Sequence, residues 1–216
     1  MTTKELSFSA ARSMQSSDPE EGVVSEKINV KSLHLLPGNE NRHLTLGQHL
    51  QSIFHHGDLP EEAFTLSISM PHVAVMGKVL PIVLSLQHDT GVERASGLEE
   101  PPKLLLQHIE VVIQVNTDVA SHAAMPGGWV ESKVLASSDY PKSPEDAEGM
   151  ADSLDIGEML KPIIPQYFYP TFQTKNITRT YALDVLVAIE CAGKTFKRDF
   201  RVQKLLLLRD LSVAGS

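Results

Sequence analysis

Apolar side chains recur at every second position in residues 181–191 of this chain. The apolar set on the odd positions consists of Tyr181, Leu183, Val185, Val187, Ile189 and Cys191. The even positions of the same stretch include Asp184 and Glu190. Because successive side chains of a β-strand point to opposite faces, this pattern predicts a strand with one face against a core and the other toward water.

The residues that follow predict the second half of a β-hairpin. Ala192, Gly193 and Lys194 form a short turn sequence, after which apolar and charged residues alternate in the return strand. The apolar parity changes between Gln203 and Leu205. That change predicts a β-bulge, a bend or the point at which both faces become buried.

Four further segments have the composition of strands: residues 64–70, 79–86, 104–115 and 129–135. Residues 28–36 alternate loosely and are another strand candidate. Helix-like spacing occurs in residues 44–54, which form either one short helix or a linker. Several short strands with long polar connections and little helix predict an all-β fold, a β-sandwich.

The composition divides the chain into two parts. Residues 1–27 are polar, rich in Ser and Glu and free of either period, so we predict a mostly disordered segment there. We assign residues 1–63 to an N-terminal tail or linker and residues 64–209 to one sandwich domain. The acidic residues 139–158 predict a mobile loop or insertion with room for a helical turn.

Charge and hydropathy restrict the class of function. The formal net charge of -8 argues against non-specific nucleic-acid binding, which depends on Lys and Arg neutralising phosphates. No apolar run approaches the ~20 residues of a transmembrane helix, and no signal-peptide pattern is visible. We therefore predict a cytoplasmic protein, with Cys191 as a small buried hydrophobe.

Basic residues concentrate in the region of the C-terminal hairpin. Residues 171–209 contain eight basic and three acidic side chains, which leaves a local charge of +5. Lys and Arg bind phosphate oxygens through charge-assisted hydrogen bonds, so we identify candidate contacts for an acidic or phosphorylated ligand. They are Lys194, Lys197, Arg198 and Arg201. A solvated strand face whose charges discourage edge pairing is the alternative interpretation.

No combination of residues predicts catalysis or a cofactor. Gly193-Lys194-Thr195 resembles the end of a phosphate-binding loop, but Ala188 stands where that loop needs glycine and a strand follows instead of a helix. The sequence contains neither a nucleophile elbow nor carboxylates arranged as a buried pair. We therefore predict a non-enzymatic protein without a cofactor.

The histidines near residue 55 do not have the spacing of a metal site. His55 and His56 are adjacent, so they point in different directions on any regular element, and His49 and Asp58 do not complete a known ligand pattern. A hydrated loop explains these residues, and we predict no metal ion.

Two stretches together resemble an arrestin-type domain. Its opening strands are similar to residues 64–86 (FTLSISMPHVAVMGKVLPIVLSL). Its closing hairpin, as found in fungal arrestin-like proteins, is similar to residues 170–200 (PTFQTKNITRTYALDVLVAIECAGKTFKRDF). The resemblance spans about residues 64–208 and rests on patterns of strand residues. It implies an immunoglobulin-like β-sandwich, most like the C-terminal sandwich of the family.

The resemblance also implies a function. Arrestin-like proteins are adaptors or scaffolds that bind membrane cargo, such as transporter or receptor tails, and recruit trafficking machinery or ubiquitin ligases. Such a protein is peripheral at membranes through its cargo. We expect binding through loops and an exposed sheet edge. A structural subunit of a retromer-like trafficking coat is the alternative function.

The chain departs from the family pattern in two respects. The family usually has two sandwiches and we predict one here, so the chain is a shortened product or residues 28–36 are a remnant of the other half. Ligase-recruiting members carry Pro-Pro-x-Tyr, whereas Pro101-Pro102 is followed by Lys103 and Leu104. The missing Tyr argues against direct recruitment of a WW-type ligase.

Overall fold

A computed structural model of the protein describes residues 21–36, 39, 45, 59–89, 102–120, 127–140 and 149–210. The described strands are β1 (Glu21–Lys31), β2 (Glu61–Pro71), β3 (Val73–Val75), β4 (Val83–His88), β5 (Leu104–Val119), β6 (Gly127–Asp139), β7 (Ser153–Asp155), β8 (Phe172–Gln173), β9 (Ile177–Cys191) and β10 (Lys194–Leu208). A 3-10 helix (Leu33–Leu35) follows β1, and a short helix α1 (Ile156–Leu160) follows β7. Residues 1–20, the helix-like segment 44–54 apart from Thr45, and the histidines near residue 55 lie outside the described residues.

The strands form two sheets. The smaller sheet has the order β1-β2-β4-β7, and all of its neighbours are antiparallel. The larger sheet has the order β3-β10-β9-β5-β6, and β8 pairs with β9 just beyond the stretch that β10 covers. Only the pair β3 and β10 is parallel among the described strands.

Both sheets contribute to one hydrophobic core. The rings of Phe64 on β2 and Phe196 on β10 meet edge to face, with centroids 6.5 Å apart. On β9, Leu183 and Val185 are fully buried, whereas Leu186 on the opposite face is 38% exposed. The predicted core face of residues 181–191 is buried, but the face predicted to meet water is largely buried too, at Ala182, Asp184 and Ala188. The all-β prediction is confirmed.

The predicted hairpin between β9 and β10 is also confirmed. Lys194 pairs with Cys191 across a two-residue turn. Ala192 and Gly193 both have positive φ, 48° and 73°, as the favoured two-residue hairpin turns require. A Cβ on Gly193 would lie 3.1 Å from the His34 ring, so both backbone angle and space favour glycine there.

The predicted irregularity in β10 is a β-bulge at Lys204. The register shifts between Gln203 and Leu205, and Lys204 has a φ of 63°. Beyond the bulge, Leu205 still pairs with Tyr181 of β9, and residues 206–208 pair with β3. Thr171 then bonds to both sides of Leu207, donating its backbone N–H to the carbonyl and accepting the backbone N–H on Oγ1. β10 thus has one set of partners up to Leu205 and another after it.

The domain extends farther toward the N-terminus than the sequence suggested. The boundary at residue 63 falls inside β2, and β1 pairs with β2 along its full 11 residues. Ile28 and Val30 of β1 are buried in the core. Residues 21–63 therefore include an integral strand of the smaller sheet rather than only a linker.

A charged side chain on the inward-facing side of β1 hides its alternation. Val24, Glu26, Ile28 and Val30 share one face, and Glu26 interrupts the apolar series. Its carboxylate lies 2.8 Å from Arg198 Nε of β10. Because that partner is distant in sequence and the Glu26 side chain is still 41% exposed, its place on the core-facing side of β1 leaves no local signal.

Part of the acidic segment 139–158 is regular structure, in contrast to the predicted mobile loop. Leu154 of β7 pairs with Leu84 of β4, and Ile156 at the start of α1 is fully buried. Asp155 caps the helix by accepting the backbone N–H of Glu158. Apolar residues between the acidic ones anchor this part to the sheet, and α1 is the helical turn that the segment was expected to accommodate.

Two leucines on β9 test whether alternation decides stability. Replacing buried Leu183 with Ala should lower the free energy of unfolding by about 2–5 kcal/mol, because it leaves a cavity in the core. The matched change Leu186→Ala on the exposed face should cost about 1 kcal/mol or less. Urea denaturation followed by circular dichroism measures both, and equal losses would contradict the assignment of faces.

Candidate functional site

The four basic residues predicted to bind a ligand do not form one site. All four lie on β10. Lys194 and Arg198 are on the same face of the strand as Phe196 and Phe200, whereas Lys197 and Arg201 are on the opposite face. One ligand group therefore does not face all four charges. Each residue has its own surroundings.

Lys194 and Arg198 join the two sheets along one side of the sandwich. Arg198 Nε lies 2.8 Å from Glu26 Oε2 on β1. Lys194 Nζ donates a hydrogen bond to the backbone carbonyl of Lys31, at the end of β1. Both cations hold β1 against β10, so their contacts within the protein are structural.

Arg201 is bound to a carboxylate on the neighbouring strand. Its Nε and a terminal nitrogen donate to the two oxygens of Asp184 at 2.6 and 2.7 Å, a bidentate pair. Asp184 is 3% exposed, and the hydrogen bond to it raises the pKa of Arg201 above its usual value. Within the described residues, Lys197 is the one member of the four whose side chain has no hydrogen-bonded or ionic partner.

The edges of the two sheets differ in how they are protected. β3 and β7 are edge strands of only 3 residues each, and very short edge strands offer little to pair with. β1 pairs with β2 alone among the described strands, and Lys194 and Arg198 of the other sheet bond to its Lys31 carbonyl and its Glu26 carboxylate. β6 is an edge strand of 13 residues that pairs with β5 alone among the described strands.

β6 is exposed along most of its length. Trp129 is 51% exposed, Val130 63% and Val134 51%, so large apolar side chains stand on both of its faces. A register shift opposite Val111 and Val112 leaves one extra residue, Leu135, on β6. A bulge makes an edge strand locally less able to pair with another strand. Residues 127–134 of β6, which precede the bulge, can still pair along their free edge.

Two cations near the same end of the larger sheet lie over aromatic rings. Lys133 Nζ of β6 is 4.5 Å from the centre of the Tyr167 ring. The guanidinium carbon of Arg179 on β9 is 5.5 Å from the centre of the Tyr169 ring. Neither cation has a carboxylate partner within the described residues. Both positive charges therefore remain uncompensated by an ion pair in this part of the chain.

Sequence reasoning did not identify this end of the sheet as a site. In the sequence, Tyr167, Tyr169 and Phe172 simply precede the predicted hairpin, and Trp129 is the first residue of a predicted strand. Strand register, which places Trp129 and Phe172 on the same row, has no signature in local composition. Exposed aromatics at strand ends were the available signal.

The thiol of the single cysteine is buried in the core. Cys191 is 1% exposed, and burial raises the pKa of its thiol to about 12, with Glu62 and Glu190 adding to the effect.

Within the described ranges, no three His, Cys, Asp or Glu side chains are placed to share a metal ion. No helix of the described residues is long and apolar enough to cross a membrane.

A comparison of the chain with protein-family models finds no match, and a comparison with curated proteins finds none either. The arrestin-like resemblance of residues 64–86 and 170–200 stays a prediction.

The pairing of Arg201 with Asp184 predicts a specific loss of stability. Arg201→Met leaves the buried carboxylate of Asp184 without its two hydrogen bonds, so we expect a loss of about 1–3 kcal/mol. Lys197→Met removes a charge from the same face of the same strand and should change stability by about 0.5 kcal/mol or less. Chemical denaturation compares the two, and equal effects would show that the Asp184 pair contributes nothing.

Burial of Cys191 predicts an inert thiol and a pH effect. In the folded protein the thiol pKa is about 12, against 9.0 for the unperturbed group, so only the unfolded chain ionises between these values. Stability should therefore fall as pH rises from 9 toward 12, and Cys191→Ala should remove that part of the slope. Ellman's reagent should label the wild type only after denaturation, and rapid labelling of the native protein would contradict the assignment.

Proposed function

We propose that this chain is a non-enzymatic, arrestin-like adaptor module of the cytoplasm, with an immunoglobulin-like sandwich. It binds the tails of membrane transporters or receptors and connects them to trafficking or ubiquitination machinery. The two-sheet all-β fold is compatible with this proposal, and the resemblance of residues 64–86 and 170–200 is its source.

The observation that supports a protein-binding role best is the long exposed edge of β6. An extended segment of another protein can pair its main chain with such an edge, and side-chain contacts on the two faces then supply specificity. On β6 those contacts would be made by Val130 and Val134 on one face and Trp129 on the other. Tails of membrane proteins are often extended chains, which suits this mode of binding.

A charge placed on this edge tests the proposal. Val130→Glu introduces a carboxylate among the exposed apolar residues of β6 and should weaken partner capture about tenfold, because the interface then buries an unpaired charge. Val23→Glu on β1 is the matched control, since Val23 is 65% exposed and Val130 63%. The measurement is quantitative mass spectrometry of proteins cross-linked to the tagged full chain in cells.

The identity of the captured proteins decides between the two classes of function. Transporter or receptor tails, or ubiquitin-ligase subunits, that are lost with Val130→Glu and retained with Val23→Glu would support the adaptor. Stable stoichiometric partners that co-elute in size exclusion would instead favour the trafficking-coat alternative. Equal capture by both variants would remove the β6 edge from the binding surface.

A further inference from the structure

One row of residues crosses four strands at the end of the larger sheet. Trp129 of β6 pairs with Thr117 of β5, Thr117 pairs with Arg179 of β9, and Arg179 pairs with Phe172 of β8. Directly opposite residues of antiparallel strands point to the same face, so the four side chains stand side by side. Tyr169 lies over the guanidinium of Arg179. We call these five residues the aromatic–arginine surface.

Two polar atoms in this row have no hydrogen-bond partner within the part of the chain that the structure describes. Thr117 is only 4% exposed, and its Oγ1 is buried without a bond. Arg179 Nε is likewise buried and unbonded. An unpaired buried donor is costly, so two of them on one row call for an explanation such as a ligand.

The charge around Arg179 favours an anion. Arg179 has no carboxylate partner among the described residues, although the chain as a whole carries a net charge of -8. Its positive charge also reaches the hydroxyl of Tyr181, where it opposes the increase in pKa that burial causes. The Tyr181 hydroxyl donates to the carbonyl of Tyr169 at 2.6 Å, and a hydrogen bond from Arg179 to this hydroxyl also lowers the pKa of Tyr181. Tyr169 and Tyr181 thus hold the guanidinium, and its Nε–H has no hydrogen-bond partner among the described residues.

The rim of the row is apolar and exposed. Trp129 is 51% exposed, Tyr169 62% and Phe172 36%, and Ile177 on the next row is 39% exposed. Exposed aromatics clustered around a cation are typical of binding surfaces, where they supply large contact areas. The surface therefore combines one anion-binding centre with apolar contacts on both sides.

We propose that the aromatic–arginine surface binds an acidic peptide segment in which a carboxylate or phosphate adjoins a large apolar side chain. The anionic group accepts hydrogen bonds from Arg179 and Thr117, and the apolar side chain packs against Trp129 or Phe172. This inference rests on the proposed protein-binding function and names the chemistry of its partner.

A peptide suits this surface better than a lipid bilayer does. The row ends at β6, whose outer edge has no strand partner within the described residues. Unpaired backbone groups cannot enter hydrocarbon without a large cost, whereas a peptide or water satisfies them. Arg179 also lies against an aromatic ring at 5.5 Å instead of extending toward a headgroup layer.

Fluorescence anisotropy with short labelled peptides tests the proposal on the full chain. One peptide alternates glutamate with leucine, a second replaces glutamate with phosphoserine, and a third replaces it with lysine. The first two should bind and the third should not, with affinity that falls as salt increases. The ratio of the first two affinities separates a carboxylate ligand from a phosphate ligand.

Substitutions locate the binding. Arg179→Gln should weaken acidic-peptide binding about ten- to a hundredfold, since it removes a hydrogen-bonded charge. Trp129→Ala changes an exposed side chain that does not support the core, and it should weaken binding about tenfold. Lys197→Gln is the control, because it removes the same charge from the same sheet opposite Ala188, about 30 Å farther along β9. Thermal unfolding of each variant checks that the fold is retained.

Each result has one interpretation. Loss with Arg179→Gln and Trp129→Ala, but not with Lys197→Gln, supports the aromatic–arginine surface. Loss with Lys197→Gln alone overturns it in favour of the predicted basic residues of β10. Absence of peptide binding also overturns it, and so does Arg179-dependent sedimentation with phosphatidylserine vesicles in place of peptide binding. If cellular partners still depend on Val130 in these cases, the proposed function survives and only this inference fails.

Discussion

β9 is hydrogen-bonded on both sides along nearly its whole length, and most of the structure follows from that constraint. β5 pairs with it from Ile177 to Cys191, while β10 covers residues 181–191 and β8 covers Thr178 and Arg179 on the other side. A strand with two partners cannot shift its register by one residue without turning its buried face to water. The core side chains of β9 are therefore fixed together with those of three neighbouring strands.

The bulge at Lys204 connects this register to the surface at the end of the sheet. β10 diverges from β9 after Leu205, and the vacated side of β9 is occupied by β8. That exchange brings Phe172 beside Arg179, and residues 167–169 place two aromatic rings against the cations Lys133 of β6 and Arg179 of β9. A continuous β10 would have paired with residues 178–179 itself and excluded Phe172 from the row. Because the pairing of β10 with β9 ends at Leu205, β8 can place Phe172 beside Arg179.

The sequence predicts the parts of the fold that depend on local alternation and misses those that depend on pairing. The core face of β9, the turn at Ala192 and Gly193, and the bulge are all readable from period and parity. The inward face of β1 is not, since Glu26 interrupts it and its partner Arg198 is remote. The same limit affected the candidate site. A count of basic residues does not show that Arg201 is bound by Asp184, because that contact exists only once the two strands pair.

The two long sides of the sandwich are treated differently, and this asymmetry bears on where a partner docks. Between β1 and β10, Arg198 pairs with the side-chain carboxylate of Glu26, and Lys194 bonds to one backbone carbonyl of β1, that of Lys31 at its end. On the β6 side, Lys133 lies over Tyr167 and does not cross to another strand. The unpaired backbone N–H and C=O groups of an edge strand can pair with another chain, which leads to aggregation unless the edge is protected. Among the described edge strands, β3 and β7 have 3 residues each, β1 has 11 and β6 has 13, so β6 offers the longest unpaired backbone to the partner that the proposed function requires.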